Sequence, residues 1–203
     1  MKLQKYFAEL VGTFVLASVV AISIMTHPPV PGQVLAGLTL GLFVYMVGGI
    51  SGGYLNPAVT VAMASVKKIS VKDAVLYIIF QLIAGFLALY FTRWFIGGTT
   101  GVEKFPTDMV VWKTALAEAI GAAMLVFGVS AVVEKKVKED MHGIVIGGSL
   151  LLGIMLTGAV SYGILNPAVA VGVGVPYTAY VYFVAPLVGG VLSAWGARWL
   201  FKK

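Results

Sequence analysis

Leu55-Asn56-Pro57-Ala58-Val59 recurs, letter for letter, as Leu165-Asn166-Pro167-Ala168-Val169, 110 residues further along the chain. The match extends outward, pairing Ser51 with Ser161 and Val61 with Val171. Proline suits the first position of a helix, because its missing N–H would be unpaired there anyway. Asparagine just before it is a favoured N-cap, its side-chain oxygen accepting an N–H of the first turn. The amide NH2 of Asn56 and of Asn166 is then a free donor pointing away from each helix. Both helices are short: residues 57–66 make about 15 Å of helix, roughly half the thickness of a bilayer's hydrocarbon core. Residues 167–175 are similar and halt at Pro176.

The surroundings of the two boxes are built for lipid. Of 203 residues, 60% are hydrophobic and 11% charged, against about 25% charged in a soluble domain. Six apolar stretches, 7–25, 33–50, 74–95, 112–133, 143–160 and 177–199, run 18 to 23 residues each. That is the length needed to cross a bilayer. The first is too long for a removable signal peptide and is followed by matched spans. A net charge of +6 reads as inside-positive topology and not as nucleic-acid binding. With six spans, Lys2, Lys5, Lys67, Lys68, Lys72, Lys135, Lys136, Lys138, Arg198, Lys202 and Lys203 share one side, leaving Arg93, Lys104 and Lys113 on the other. The cationic side is cytoplasmic, so both termini are expected there, in the cell membrane. The chain has no cysteine, which excludes disulfides and thiol chemistry.

The halves correspond beyond the boxes. Ala8-Glu9 with Gly12 matches Ala117-Glu118 with Gly121, and Gly37 matches Gly147. The glycine-rich link from Gly97 to Pro106 divides the chain. Residues 1–100 and 106–203 therefore read as two repeats of one membrane domain. Each holds three spans, an odd number, so the second is inserted upside down. Inverted repeats with discontinuous helices place their site near the midplane, between the repeats. The expected fold is all-α, with six transmembrane helices and two re-entrant half-helices whose proline ends meet in mid-bilayer.

The paired boxes, with Ser51-Gly52-Gly53-Tyr54-Leu55-Asn56-Pro57-Ala58-Val59-Thr60 around the first, resemble the aquaporin, or major intrinsic protein, family over the whole chain. The resemblance implies a homotetramer with one pore per subunit, conducting water and small neutral solutes through the lipid membrane. It places Asn56, Pro57 and Ala58 with Asn166, Pro167 and Ala168 at the pore midplane. Carbonyls of Gly53, Tyr54 and Leu55, and of Tyr162, Gly163 and Ile164, are implied as acceptors leading to it. Counting along ungapped stretches puts the selectivity ring at Ala36, Ile154, Gly163 and Val169. The family normally has an arginine where Val169 stands, and a histidine where Tyr54 stands.

A ring of small and aliphatic groups predicts a wider opening that admits solutes of the glycerol, urea or ammonia class. The same ring is less wettable, and an apolar constriction can slow water by dewetting. Coupled transport and an ion or gas pathway are the alternatives, the first because inverted repeats also build transporters, the second because Val169 carries no charge.

Glu9 and Glu118 are intramembrane acids. They read either as proton relays or, as the symmetry favours, as acceptors for N–H groups of the non-helical loops. Gly37 with Gly41 and Gly143 with Gly147 are spaced for close helix approach. Gln81 is expected to bond to neighbouring backbone, and Ser70 to cap the third span. Trp94, Trp112 and Trp199 read as interfacial anchors, and Trp195 as a packing residue. His27 and His142 sit in or beside loops. The sequence contains no cluster suited to a metal, no nucleophile with an adjacent base and no phosphate-binding loop, so neither cofactor nor enzymatic activity is expected.

Overall fold

The structure is a computed structural model and describes residues 3–97, 111–176 and 179–202. Lys2, Lys104, Lys203, most of the inter-repeat link and the expected start of the sixth span at Tyr177 lie outside the described residues. The chain forms α1 (Gln4–Thr26), α2 (Gly32–Ser51), α3 (Pro57–Ser65), α4 (Val71–Ile96), α5 (Val111–Val133), α6 (His142–Thr157), α7 (Pro167–Gly172) and α8 (Val181–Phe201). Among the described residues six helical segments are long and apolar enough to cross a membrane, α6 together with the 3-10 turn Glu139–Met141 that leads into it. The other two, α3 and α7, are the short helices that begin at the proline boxes.

Local chemistry explains the boundaries. Asn56 and Asn166, both extended, cap α3 and α7 with proline in the first turn. Ser70 Oγ accepts from Asp73 N at 3.1 Å and starts α4. Left-handed Gly52 and Gly97 stop α2 and α4, a conformation glycine adopts without a Cβ penalty. Some expected bounds move: α6 ends at Thr157 and not at 160, and α7 has six residues, not nine. Its last turn is closed by Val175 N donating to Ala170 O at 2.9 Å, over Gly174 at φ 76°. The sixth long helix begins at Val181, four residues after its expected start.

Packing follows the repeat. Helix α1 lies on α2 and α4, and α5 on α6 and α8. Each short helix packs against the last long helix of the opposite half, α3 on α8 and α7 on α4. The halves also meet where α2 crosses α6. There a Cβ on Gly37 would lie 2.7 Å from the Gly147 carbonyl, and one on Gly41 at 2.7 Å from that of Gly143. Only glycines permit that approach.

Many positions exposed along the long helices are apolar, among them Leu38, Leu42, Ile144, Leu156 and Leu192. Trp94, Trp112 and Trp199 are exposed near helix ends, where indoles anchor at the interface. Trp195 differs from its expected packing role: it is 52% exposed and lies under the Arg198 guanidinium at 5.6 Å. Two ion pairs, Lys5–Asp73 at 2.8 Å and Lys68–Glu134 at 2.9 Å, tie helix ends together on the cationic face.

Candidate functional site

Each non-helical loop is shaped by one buried carboxylate. Ser51 Oγ donates to Glu9 Oε1 at 2.6 Å and Tyr54 N to the same oxygen at 3.0 Å, while Leu55 N donates to Oε2 at 2.7 Å. The second loop repeats this. Ser161 Oγ and Ile164 N donate to Glu118 Oε1, the latter at 3.0 Å, and Leu165 N donates to Oε2 at 2.7 Å. Both acids are fully buried. A carboxylate is an acceptor with two oxygens, matched here to loop donors that have no helix to bond within. Gln81 does not bond to backbone as expected; it donates to Glu9 Oε2 at 2.8 Å and to Thr60 Oγ1 at 3.0 Å.

The carboxylates hold a backbone that would not hold itself. Leu55 and Leu165 have φ of 49° and 54°, and Gly53 and Gly163 both have 62°. A left-handed leucine is uncommon, and such residues persist where their surroundings over-determine them. The leucine side chains are keyed into glycine notches. A Cβ on Gly12 would meet Leu55 Cδ2 at 2.6 Å, and one on Gly121 would collide with Leu165. The Ala-Glu-x-x-Gly match between the halves thus has a physical basis: the acid orders the loop and the glycine receives its leucine.

The left-handed leucines turn the two asparagines toward each other. Asn56 Oδ1 accepts from Ala58 N at 2.8 Å, and Asn166 Oδ1 from Ala168 N at 3.0 Å and Val169 N at 3.4 Å. Asn56 Nδ2 donates to the Leu165 carbonyl at 3.0 Å, and Asn166 Nδ2 to the Leu55 carbonyl at 3.0 Å. This corrects the expectation of wholly free amides. One N–H of each is taken by the opposite loop, and the other is left for the cavity. Leu55 is likewise not a lone acceptor, since its carbonyl already receives Asn166.

A cavity of about 330 Å³ reaches this pair. Its lining runs down α1 through His27, Ile24, Ser23, Val20 and Leu16, and down α2 through Gly32, Gln33, Ala36 and Leu40. Leu125, Leu150, Ile154 and Val169 close it, with Tyr162, Gly163 and Ile164 from the second loop and Tyr54, Asn56 and Asn166 at its floor. All four expected ring positions, Ala36, Ile154, Gly163 and Val169, border it together; Gly53 and Leu55 do not. Pro57, Ala58, Pro167 and Ala168 are buried behind the asparagines. His27, Ser23 and Gln33 at the mouth were not anticipated. Positions 16, 20, 23, 24 and 27 share one helical face, and that spacing was the available signal.

Residues 1–196 match the family described as major intrinsic protein. The chain belongs to that family. It is 32% identical to aquaporin NIP1-2 of Arabidopsis thaliana, the alignment covering 95% of this chain and 72% of that one. Against glycerol uptake facilitator protein-like 6 of Lactiplantibacillus plantarum it is 33% identical, with 97% of each chain covered. The X-ray structure of the aquaglyceroporin from Plasmodium falciparum superposes with a TM-score of 0.75 at 20% identity, covering 100% of this chain and 96% of that one. That likeness establishes the fold. Six apolar helices in a major intrinsic protein make this an integral, multi-pass membrane protein.

Proposed function

We propose that the chain is a passive channel, not an enzyme, for water and small neutral solutes of the glycerol, urea or ammonia class. The observation that carries this is the crossed asparagine pair at the floor of an open cavity. Each asparagine keeps one N–H for a solute, while the N-termini of α3 and α7 meet behind them. A helix N-terminus carries partial positive charge. Two facing ends disfavour cations where hydration is thinnest, the mechanism general to aquaporin-type pores. Carbonyls of Tyr54, Tyr162, Gly163 and Ile164 are the candidate acceptors along the way.

The ring of Ala36, Ile154, Gly163 and Val169 favours solutes wider than water, since none of the four brings an aromatic ring or a charge. A relative named as a glycerol uptake facilitator agrees with that breadth. Coupled transport is disfavoured because Glu9 and Glu118 have their oxygens engaged by loop donors, which makes them structural acids and not proton carriers. The subunit is read as one domain of two inverted repeats, 1–100 and 106–203, assembling as a homotetramer in the plasma membrane with both termini cytoplasmic. Proteoliposome swelling tests the function: water and glycerol should both pass faster than through empty vesicles. Fast water with glycerol excluded would overturn the reading of the whole pore as one that passes solutes of the glycerol class.

A further inference from the structure

The outer cavity is permissive at its waist and ends abruptly below it. Leu16, Leu40, Leu125 and Leu150 mark its depth, and Tyr54 is the large polar side chain at that level. About one turn further inward along three of those helices, Val44, Val129 and Ile146 are buried in the hydrophobic core and are not among the residues that line this cavity.

Tyr54 is held rigidly in place. Its N–H is fixed on Glu9, and left-handed Gly53 and Leu55 flank it. Its ring lies against Gly52, where a Cβ would sit 3.0 Å from Tyr54 Cε1. It also packs edge-on to Tyr77, with centroids 6.0 Å apart. Tyr77 is tethered in turn, its hydroxyl donating to the Ser51 carbonyl at 2.8 Å. Tyr54 as a whole is 9% exposed, and among the described residues its hydroxyl has no hydrogen-bond partner. The equivalent position of the second loop is Ile164, which has no polar tip. The feature exists on one side of the asparagines only.

We infer that the Tyr54 side chain, and not the outer ring, sets the size limit of this pore and supplies the hydrogen-bonding subsite next to the asparagine pair. The inference rests on the channel reading and adds to it the place where solutes are sorted. A phenol both donates and accepts. A solute with neighbouring hydroxyl or amide groups can therefore engage an asparagine N–H and the Tyr54 hydroxyl together, while the ring limits its cross-section.

The test is stopped-flow flux in proteoliposomes for water, urea and glycerol, normalised to folded protein, with wild type, Tyr54→Ala, Tyr54→His and Tyr54→Phe. Removing the ring should raise the glycerol-to-water ratio several-fold in Tyr54→Ala, and by a smaller factor in Tyr54→His. Tyr54→Phe keeps the wall but loses the hydroxyl, so glycerol flux should fall relative to water. Should the alanine variant not fold, the histidine variant decides. A conducting wild type whose ratios stay unchanged in the variants overturns the inference and leaves the channel reading intact. Wild type without flux that gains it in Tyr54→Ala supports the inference. Absence of flux in all four proteins would instead overturn the channel reading and this one with it.

Discussion

Glu118 shows how much one side chain organises. Its two oxygens gather Ser161, Ile164 and Leu165, and it is fully buried. Glu118→Gln exchanges one acceptor oxygen for a donor, facing a loop donor with another donor. An unsatisfied buried group costs about 1–3 kcal/mol. The variant should therefore melt at lower temperature in detergent, while flux per folded channel keeps its pH dependence; altered pH dependence at unchanged stability would contradict the structural role. Gly121→Ala drives a methyl into Leu165, and overpacking of this kind costs about 1–3 kcal/mol, read by the same melt. At this scale the sequence was half legible. The caps at Asn56 and Asn166 follow from residue type and the following proline. The destination of each Nδ2 does not, because it depends on two loops, 109 and 111 residues apart at the bonded positions, meeting head-on.

Helices α2 and α6 make a sharper experiment, because neighbouring glycines differ. A Cβ on Gly147 would collide with the Gly37 carbonyl, whereas one on Gly148 meets nothing within 4 Å. Gly147→Ala should reduce the yield of monodisperse protein on size-exclusion chromatography. Gly148→Ala should be tolerated or stabilise by about 0.5–1 kcal/mol, the helix-interior difference between the two residues. The Gly-x-x-x-Gly spacing announced close approach, since that reading needs only helical periodicity. The length of α7 was not announced. Val173 and Val175 read as a continuing apolar run, and only the turn over left-handed Gly174 shows where the helix stops. The family resemblance gave Tyr54 a carbonyl role and marked it as standing in place of a histidine; its ring gains meaning only from Tyr77 and Gly52 packed beside it.

For the whole molecule, number and order of spans were legible because apolar runs of bilayer length have few other uses in a chain this poor in charge. Orientation is testable directly, since the chain has no cysteine and any introduced thiol is unique. Cysteine at Lys113 should be labelled by an impermeant maleimide on intact cells; cysteine at Lys136 should be labelled only after permeabilisation. The reverse pattern would invert the topology. Val169→Arg places a long cation into the cavity that Val169 borders. Glycerol swelling should fall by more than water swelling does.

The crossed amides carry a consequence for assembly. Asn56 completes the loop of the second half and Asn166 that of the first, so each half holds the other's latch. A half synthesised alone would leave an amide and a carbonyl facing hydrocarbon, where each unsatisfied group costs several kcal/mol. Separately encoded halves should therefore be cleared by the cell when alone and rescue one another when made together.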